Sequence, residues 1–414
     1  MKMILAATVL SAILISSAGA NVTGTNKLGL KLGLETSKEM KGKNFMVSPV
    51  SLHQALSIAA NGTNHDTRRE VEELLGSSVE ENNLSSLQFV KSLSPENMNK
   101  FVHMVKKNLV SVQNSIWRTN GKTDGRLFIF APEFKMAAKA YFDAESHELD
   151  FRNDESANVI NKWAEDKTKG LVKKIIDAET LDPMVWVIMN ATYMEASWAK
   201  PFRELKHNAP KFTLLDKSKI SAEMISGRQY VSYSRLADGS EIAAIPFSYQ
   251  RGAPELEFVI YLPEMNKDFS KAQAEFFTTT FWNDAREELK DSRLEAYVTL
   301  PKFSFDTSVE MKKDAKLTNA MNLNFLFQKT ADFGLMATPE SVESIVGLIK
   351  QNSRIELDEN GVKAAAVTII GGIERTSIPV EPSVDMVVDR PFMFAIVEKS
   401  TKAILFTGSV VDPR

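Results

Sequence analysis

The chain has 414 residues, a net charge of −3 and no cysteine. Disulfides, thiol catalysis and thiolate metal sites are therefore excluded, and the dispersed Lys and Arg residues do not suggest nucleic-acid binding. With 43% hydrophobic residues, the chain can bury a large core without covalent staples.

The first twenty residues read as a signal peptide. Lys2 gives a positive start, Ile4 to Ile15 is mostly apolar, and Ala18-Gly19-Ala20 is a small-residue cleavage site. The apolar run is too short for a membrane span, and no later segment is longer. The other reading of this stretch is a buried N-terminal helix. A secreted chain is expected, with no retention signal at Val411-Asp412-Pro413-Arg414. Residues 21–414 are expected to form a single domain, because glycines and prolines are scattered and no linker divides them; a monomer is expected.

Helix signals dominate the first half. Ser48-Pro49 pairs a capping serine with a proline in the first turn, and Asn61-Gly62 closes that helix. Thr67-Arg68-Arg69-Glu70 reads as a capping box, with Val71, Leu74 and Leu75 on one face and Gly76 as the stop. Asn158 to Lys169 is amphipathic and ends at Gly170. Val185 to Tyr193 is a nearly continuous apolar run, as in a strand covered on both faces. Leu256 to Leu262 alternates, as does Leu294 to Phe305 around Pro301. Phe392–Val397 and Ala403–Val411 flank a polar turn and predict a hairpin. Helices first and antiparallel strands later make an α+β order.

Nothing in the chain forms a recognisable active site. The five histidines, His53, His65, His103, His147 and His207, lack metal-ligand spacing, and no nucleophile elbow, phosphate loop or dinucleotide fingerprint occurs. No enzyme activity, metal, cofactor or membrane is expected. Lys106-Lys107, Lys173-Lys174 and Lys312-Lys313 read as solvated faces, with a polyanion site as the minority, unsupported alternative.

One stretch resists this scheme. From Asp358 to Pro379 the chain reads DENGVKAAAVTIIGGIERTSIP. Val362 to Ile370 is strand-like, yet it runs into Gly371-Gly372 and the polar Glu374-Arg375-Thr376-Ser377. An ordinary sheet strand explains the first part but not the second.

This stretch resembles the reactive-centre loop of the serpins, about residues 359–382, and the resemblance extends over nearly the whole chain after residue 20. Asn44-Phe45-Met46-Val47-Ser48-Pro49-Val50-Ser51-Leu52, Val159-Ile160-Asn161-Lys162-Trp163 with Thr168 and Gly170, and Asn190-Ala191-Thr192-Tyr193 with Trp198 and Pro201-Phe202 match family segments. Leu300-Pro301-Lys302-Phe303, Ala331-Asp332-Phe333 and Val388-Asp389-Arg390-Pro391-Phe392-Met393-Phe394 complete the series. The chain is similar to a secreted, invertebrate-type member. The resemblance implies three β-sheets, about nine helices and an exposed bait loop. A trypsin-like serine protease would cut the loop and remain covalently attached while the loop inserts into the central sheet. Ser48, Ser51, Asn190 and Trp198 would border the insertion region.

Within the loop, Glu359, Asn360, Gly361, Val362, Lys363, Ala364, Ala365 and Ala366 correspond to the hinge. Glycine suits a backbone that changes conformation, and the alanines are small enough to pass between strands. The family spacing puts the reactive bond at Arg375-Thr376, fourteen positions beyond Gly361, or within one or two residues of it. An arginine there suits a specificity pocket holding a carboxylate. Four positions depart from the family pattern. Val362 stands where small hydroxylated residues are usual, Lys363 where an acid is usual, Gln351 near a usual histidine, and Met194 for an aromatic. They keep open a non-inhibitory carrier or decoy. In an inserted strand Val362, Ala364 and Ala366 share one face and Lys363 the other. If the even-numbered face is buried, Lys363 meets water and changing its charge should matter little. Asn21, Asn61 and Asn83 are the expected glycan acceptors, while Asn190 is expected to be buried and bare.

Overall fold

The computed structural model describes residues 22–93, 109–122, 126–249, 254–290, 292–312, 315–323, 325–328, 330–341, 347–362 and 384–414. The expected leader, Asn21, the hinge residues Lys363, Ala364, Ala365 and Ala366, and the Arg375-Thr376 bond lie outside the described residues.

A helix, α1 (22–39), leads to the short strand β1 (Phe45–Val47). Ser48 caps α2 (Pro49–Asn61) by accepting the Ser51 amide, with Pro49 in the first turn as expected. α3 (His65–Leu75) ends on left-handed Gly76, and α4 (Val79–Leu93) follows. The expected capping box is not one. α3 begins earlier, after Asn64, because Thr67 and Glu70 hold a distant loop instead. Thr67 Oγ1 accepts the Asp332 amide at 3.0 Å, and the Glu70 carboxylate accepts the amides of Phe325 and Leu326.

β2 (Leu109–Thr119), α5 (Pro132–Phe142), β3 (Glu145–Leu149), α6 (Glu155–Lys167), α7 (Ala178–Leu181) and β4 (Trp186–Ser197) come next. Then come β5 (Arg203–Glu204), β6 (Phe212–Thr213), β7 (Lys219–Ile220), β8 (Met224–Arg235), β9 (Glu241–Pro246) and β10 (Leu256–Leu262). Two helices, α8 (Phe269–Phe276) and α9 (Thr279–Leu289), precede β11 (Arg293–Pro301) and β12 (Phe303–Met311). The described chain ends with α10 (Lys316–Ala320), β13 (Gly347–Asp358), β14 (Gly361–Val362), β15 (Val384–Val387), β16 (Phe392–Glu398) and β17 (Ala403–Val410).

The strands make three sheets, as expected for this α+β fold. Nine strands run β1-β17-β16-β10-β9-β8-β11-β15 with β5 on β8, six run β12-β13-β14-β4-β2-β3, and β6 pairs with β7. The predicted C-terminal hairpin is β16–β17. The alternating run around Pro301 is two strands, for the chain crosses from the nine-stranded to the six-stranded sheet at Lys302. Nor are all pairings antiparallel: β2–β3, β4–β13 and β11–β15 are parallel.

The core explains why β4 reads as continuously apolar. Met194 and Ala196 pack with Val112, Ile355 and Phe394 between the two large sheets. Ile188 faces a helical core with Leu52 and Ile58. On the opposite face Val187, Met189 and Ala191 lie under Ile160 and Trp163 of α6.

Two expected glycan acceptors are placed differently. Asn83 is buried on α4, and its amide exchanges hydrogen bonds of 2.8 and 2.9 Å with Asn61 at the end of α2. The packing of α2 on α4 removes the open surface that a sugar needs. Asn190 is buried, in line with the expectation.

His53 lies buried in α2, and burial pushes its pKa from 6.5 down to about 4. The folded imidazole stays neutral while the unfolded one takes up a proton. The stability contribution is therefore intact above pH 6.5 and is lost as pH falls toward 4. This amounts to about 3 kcal/mol as an order of magnitude. Melting temperature measured from pH 7 to pH 4 should fall less steeply in a His53→Gln variant. An identical slope in both proteins would show that His53 is not the group responsible.

Candidate functional site: the seam between β4 and β13

At one end of the six-stranded sheet, Gly347–Asn352 of β13 pair in parallel with Trp186–Ala191 of β4. At the other end β14 lies between the two strands, antiparallel to both. Gly361 sits between Asp358 and Ser197, and Val362 between Leu357 and Ala196. Partners on β4 and β13 are 161 positions apart in both zones, so the two strands keep one register throughout.

Local chemistry makes the turn into β14. Asp358 Oδ1 accepts the amides of Asn360 at 2.8 Å and Gly361 at 3.2 Å, a side-chain substitute for a backbone turn. Gly361 has φ +150°, and a Cβ there would come within 2.0 Å of the Ala196 carbonyl oxygen. Only glycine fits. Val362 is 4% exposed and packs in the core between the sheets. That is the facing expected for the even-numbered side of the hinge.

Trp198 holds the turn in place. Its indole Nε1 donates to the Asp358 carbonyl at 2.9 Å and its amide to the Asn360 carbonyl at 3.0 Å, while its ring stacks on Phe247. The Phe202 amide donates to the Glu359 carbonyl at 2.9 Å. Lys302, at the sheet crossing, lies 3.4 Å from the Glu359 carboxylate, 3.0 Å from Glu204 and 3.3 Å from Glu223. Burial opposes its charge, but hydrogen bonds to Glu204 and Glu223 outweigh that and raise its pKa above the usual lysine value.

Beneath the paired zone lies a polar floor. The Ser48 amide donates to Gln351 Oε1 at 3.1 Å, and Gln351 Nε2 donates to the Ser48 carbonyl at 2.8 Å. Ser51 Oγ donates to Asn190 Oδ1. Asn190 Nδ2 donates to Asn114 Oδ1 at 2.7 Å, and Asn114 donates in turn to Gln54 Oε1 and the Phe142 carbonyl. Ser48, Ser51, Gln54, Asn114, Asn190 and Gln351 are all buried.

The structure thus brings Ser48, Ser51 and Asn190 together and places Trp198 at the other end of the seam, against Glu359, Asn360 and Gly361. Gln54 and Asn114 belong to the floor although no sequence pattern marked them. The available signal was weak, because Gln54 stands beside His53 in Leu52–Ala60 and Asn114 stands between Gln113 and Ser115 in Val110–Trp117.

A family model described as Serpin (serine protease inhibitor) matches residues 23–413. Serpin-Z7 of Hordeum vulgare is 29% identical over 413 residues, covering 95% of this chain and 96% of the relative. The solved structure of a thermophilic serpin, tengpin, in the native state matches with TM-score 0.77 at 23% identity, covering 94% of both chains. Thyroxine-binding globulin in complex with thyroxine matches with TM-score 0.75 at 22% identity, covering 96% of this chain and 99% of the other. With a plant protein among these relatives, the matches do not single out the invertebrate type expected from sequence.

Gln351→Ala should weaken the native fold, because it leaves the buried Ser48 amide unpaired, while the Ser48 carbonyl keeps only the Leu52 amide. A loss of roughly 1–3 kcal/mol is expected, read as a lower urea midpoint at neutral pH. An unchanged midpoint would mean that water replaces the amide without loss.

Proposed function

The chain belongs to the serpin family of serine protease inhibitors, and we propose that it is a secreted, suicide-type inhibitor of a trypsin-like protease. The placement of β14 carries this reading. Its two residues already run antiparallel to both neighbours, and continuing that ladder leads toward the zone where β13 and β4 pair directly.

The protease serine would attack the Arg375 carbonyl carbon. The peptide bond to Thr376 breaks, the new amine leaves with a proton, and an ester to Arg375 remains. Hydrolysis of that ester would free the protease. Insertion of the cut loop between β4 and β13 would instead exchange one parallel ladder for two antiparallel ones, the slightly more stable pairing per residue. The protease, still attached at Arg375, would be carried along the sheet. Such a chain works only if its uncut state is kinetically trapped and insertion outruns hydrolysis. The carrier or decoy reading rests on the departures at Val362 and Lys363; likeness to a structure that holds thyroxine does not strengthen it, because at 22% identity that likeness concerns the fold alone.

Incubation with trypsin followed by denaturing electrophoresis tests the proposal. An inhibitor gives a detergent-stable complex and a released C-terminal fragment beginning Thr376-Ser377-Ile378-Pro379-Val380. Cleavage without any complex would favour the carrier or decoy. Val362→Arg should shift the outcome from complex to cleaved product. The guanidinium would have to enter a core position that is now 4% exposed, at a cost of several kcal/mol if unpaired.

A further inference from the structure

The ladder begun by β14 fixes which side chains flank each following rung. Val362 lies between Leu357 and Ala196. The next rung has Glu356 on β13 and Glu195 on β4, then come Ile355 and Met194, Arg354 and Tyr193, and Ser353 and Thr192. Burial follows the two-residue period of a strand. Ile355, Met194, Ser353 and Thr192 are buried, whereas Glu356, Glu195 and Arg354 are partly exposed. Two carboxylates from opposite strands therefore flank the first outward-facing rung.

We propose that Glu195 and Glu356 are positioning residues that receive a cation on the entering strand, and that this cation is the chain's own Lys363. The inference rests on the reading that the segment after Val362 joins this sheet. Lys363 follows Val362 directly, so a strand continued in the register of β14 would put it on the rung between the two glutamates. Side chains directly opposite on neighbouring strands have Cβ atoms about 4.5–5.5 Å apart, so one ammonium can pair to both sides. An acid at this position would stand in a row of three carboxylates. The lysine that departs from the family pattern thus matches the two residues that would flank it.

Both glutamates already have cationic neighbours. Lys169 lies 3.4 Å from Glu195, and Arg354 lies 2.8 Å from Glu356. Lys363 would join these pairs on a partly solvated face, so its effect should be moderate and screened by salt. Charge at position 363 would then matter more than the sequence reading expects.

A double-mutant cycle tests the pairing with Lys363→Glu, Glu195→Lys and the double variant. The first readout is the ratio of covalent complex to cleaved product with trypsin at low and at high salt. The second is the rise in melting temperature after a metalloprotease, which forms no acyl-enzyme, cuts the loop. Lys363→Glu should lower the ratio by roughly three- to tenfold at low salt and by less at high salt. It should also reduce the rise in melting temperature, and adding Glu195→Lys should restore most of both. A Lys363→Glu variant that matches the parent at low salt, or a double variant no better than Lys363→Glu, overturns the pairing. Should the parent form no complex with trypsin, the inhibitor reading fails, while the melting readout still decides the pairing. No rise in the parent after cleavage overturns it.

Discussion

The constraint on which the rest depends is the two-sided use of β4 and β13. Each strand has one edge facing the other, and that edge is used in two ways. Near Trp186 and Gly347 it forms a direct parallel ladder, and near Ala196 and Leu357 it accepts β14. Backbone donors and acceptors in a buried sheet must be paired, so separating the strands requires a third strand to enter. The shared offset of 161 positions means that entry needs lateral parting of β4 and β13, with no sliding of one along the other.

A polar floor suits a seam of this kind better than a purely apolar one. Apolar packing sets which face is buried, and the directional Ser48–Gln351 and Ser51–Asn190–Asn114 bonds add a restraint that fixes one alignment. A buried network of this sort contributes specificity when every member is satisfied. α6 adds a second restraint from the opposite face, where Trp163 and Ile160 cover Val187, Met189 and Ala191. Full insertion along the proposed register must displace that cover. Resistance to it would come from the packing of α6 as much as from the sheet.

Sequence patterns revealed the elements that obey one rule at a time. Ser48-Pro49 capped a helix, Gly76 stopped one, and the hairpin of β16 and β17 stood out because both arms are apolar around a polar turn. Patterns failed where a residue serves a distant partner. Thr67 and Glu70 have the spacing of a capping box but hold the loops at Asp332 and Phe325. Asn61 and Asn83 satisfy the acceptor motif, yet they bond to each other, 22 residues apart in sequence. At the seam, the sequence singled out Gly361 and Val362 as expected hinge residues and Ser48, Ser51, Asn190 and Trp198 as bordering the insertion region, and all six lie along or beneath the seam. Asn114 and Gln54 were not, because each has polar neighbours in sequence, and a polar residue shows only that it needs a partner and not where the partner is.

The absence of cysteine acquires a structural meaning beside this seam. A covalent link between β4 and β13, or from α6 to the sheet, would stabilise the uncut fold but block the strand movement that the proposed activity requires. What holds the hinge instead is a set of bonds that can break separately. These are the Lys302–Glu359 ion pair, the Trp198 indole bond to the Asp358 carbonyl, and the Asp358 side-chain turn. Each involves a residue within four positions of Val362, where insertion would begin. The ion pair and the indole tie the hinge to the neighbouring chain, while the Asp358 bonds and the positive φ of Gly361 belong to the turn itself. In the proposed insertion, the turn would therefore persist while new neighbours are taken up beyond it. Under the proposed activity, anchoring and movement would be divided between adjacent residues, with Gly361 as the last fixed point and Val362 as the first residue of the growing strand.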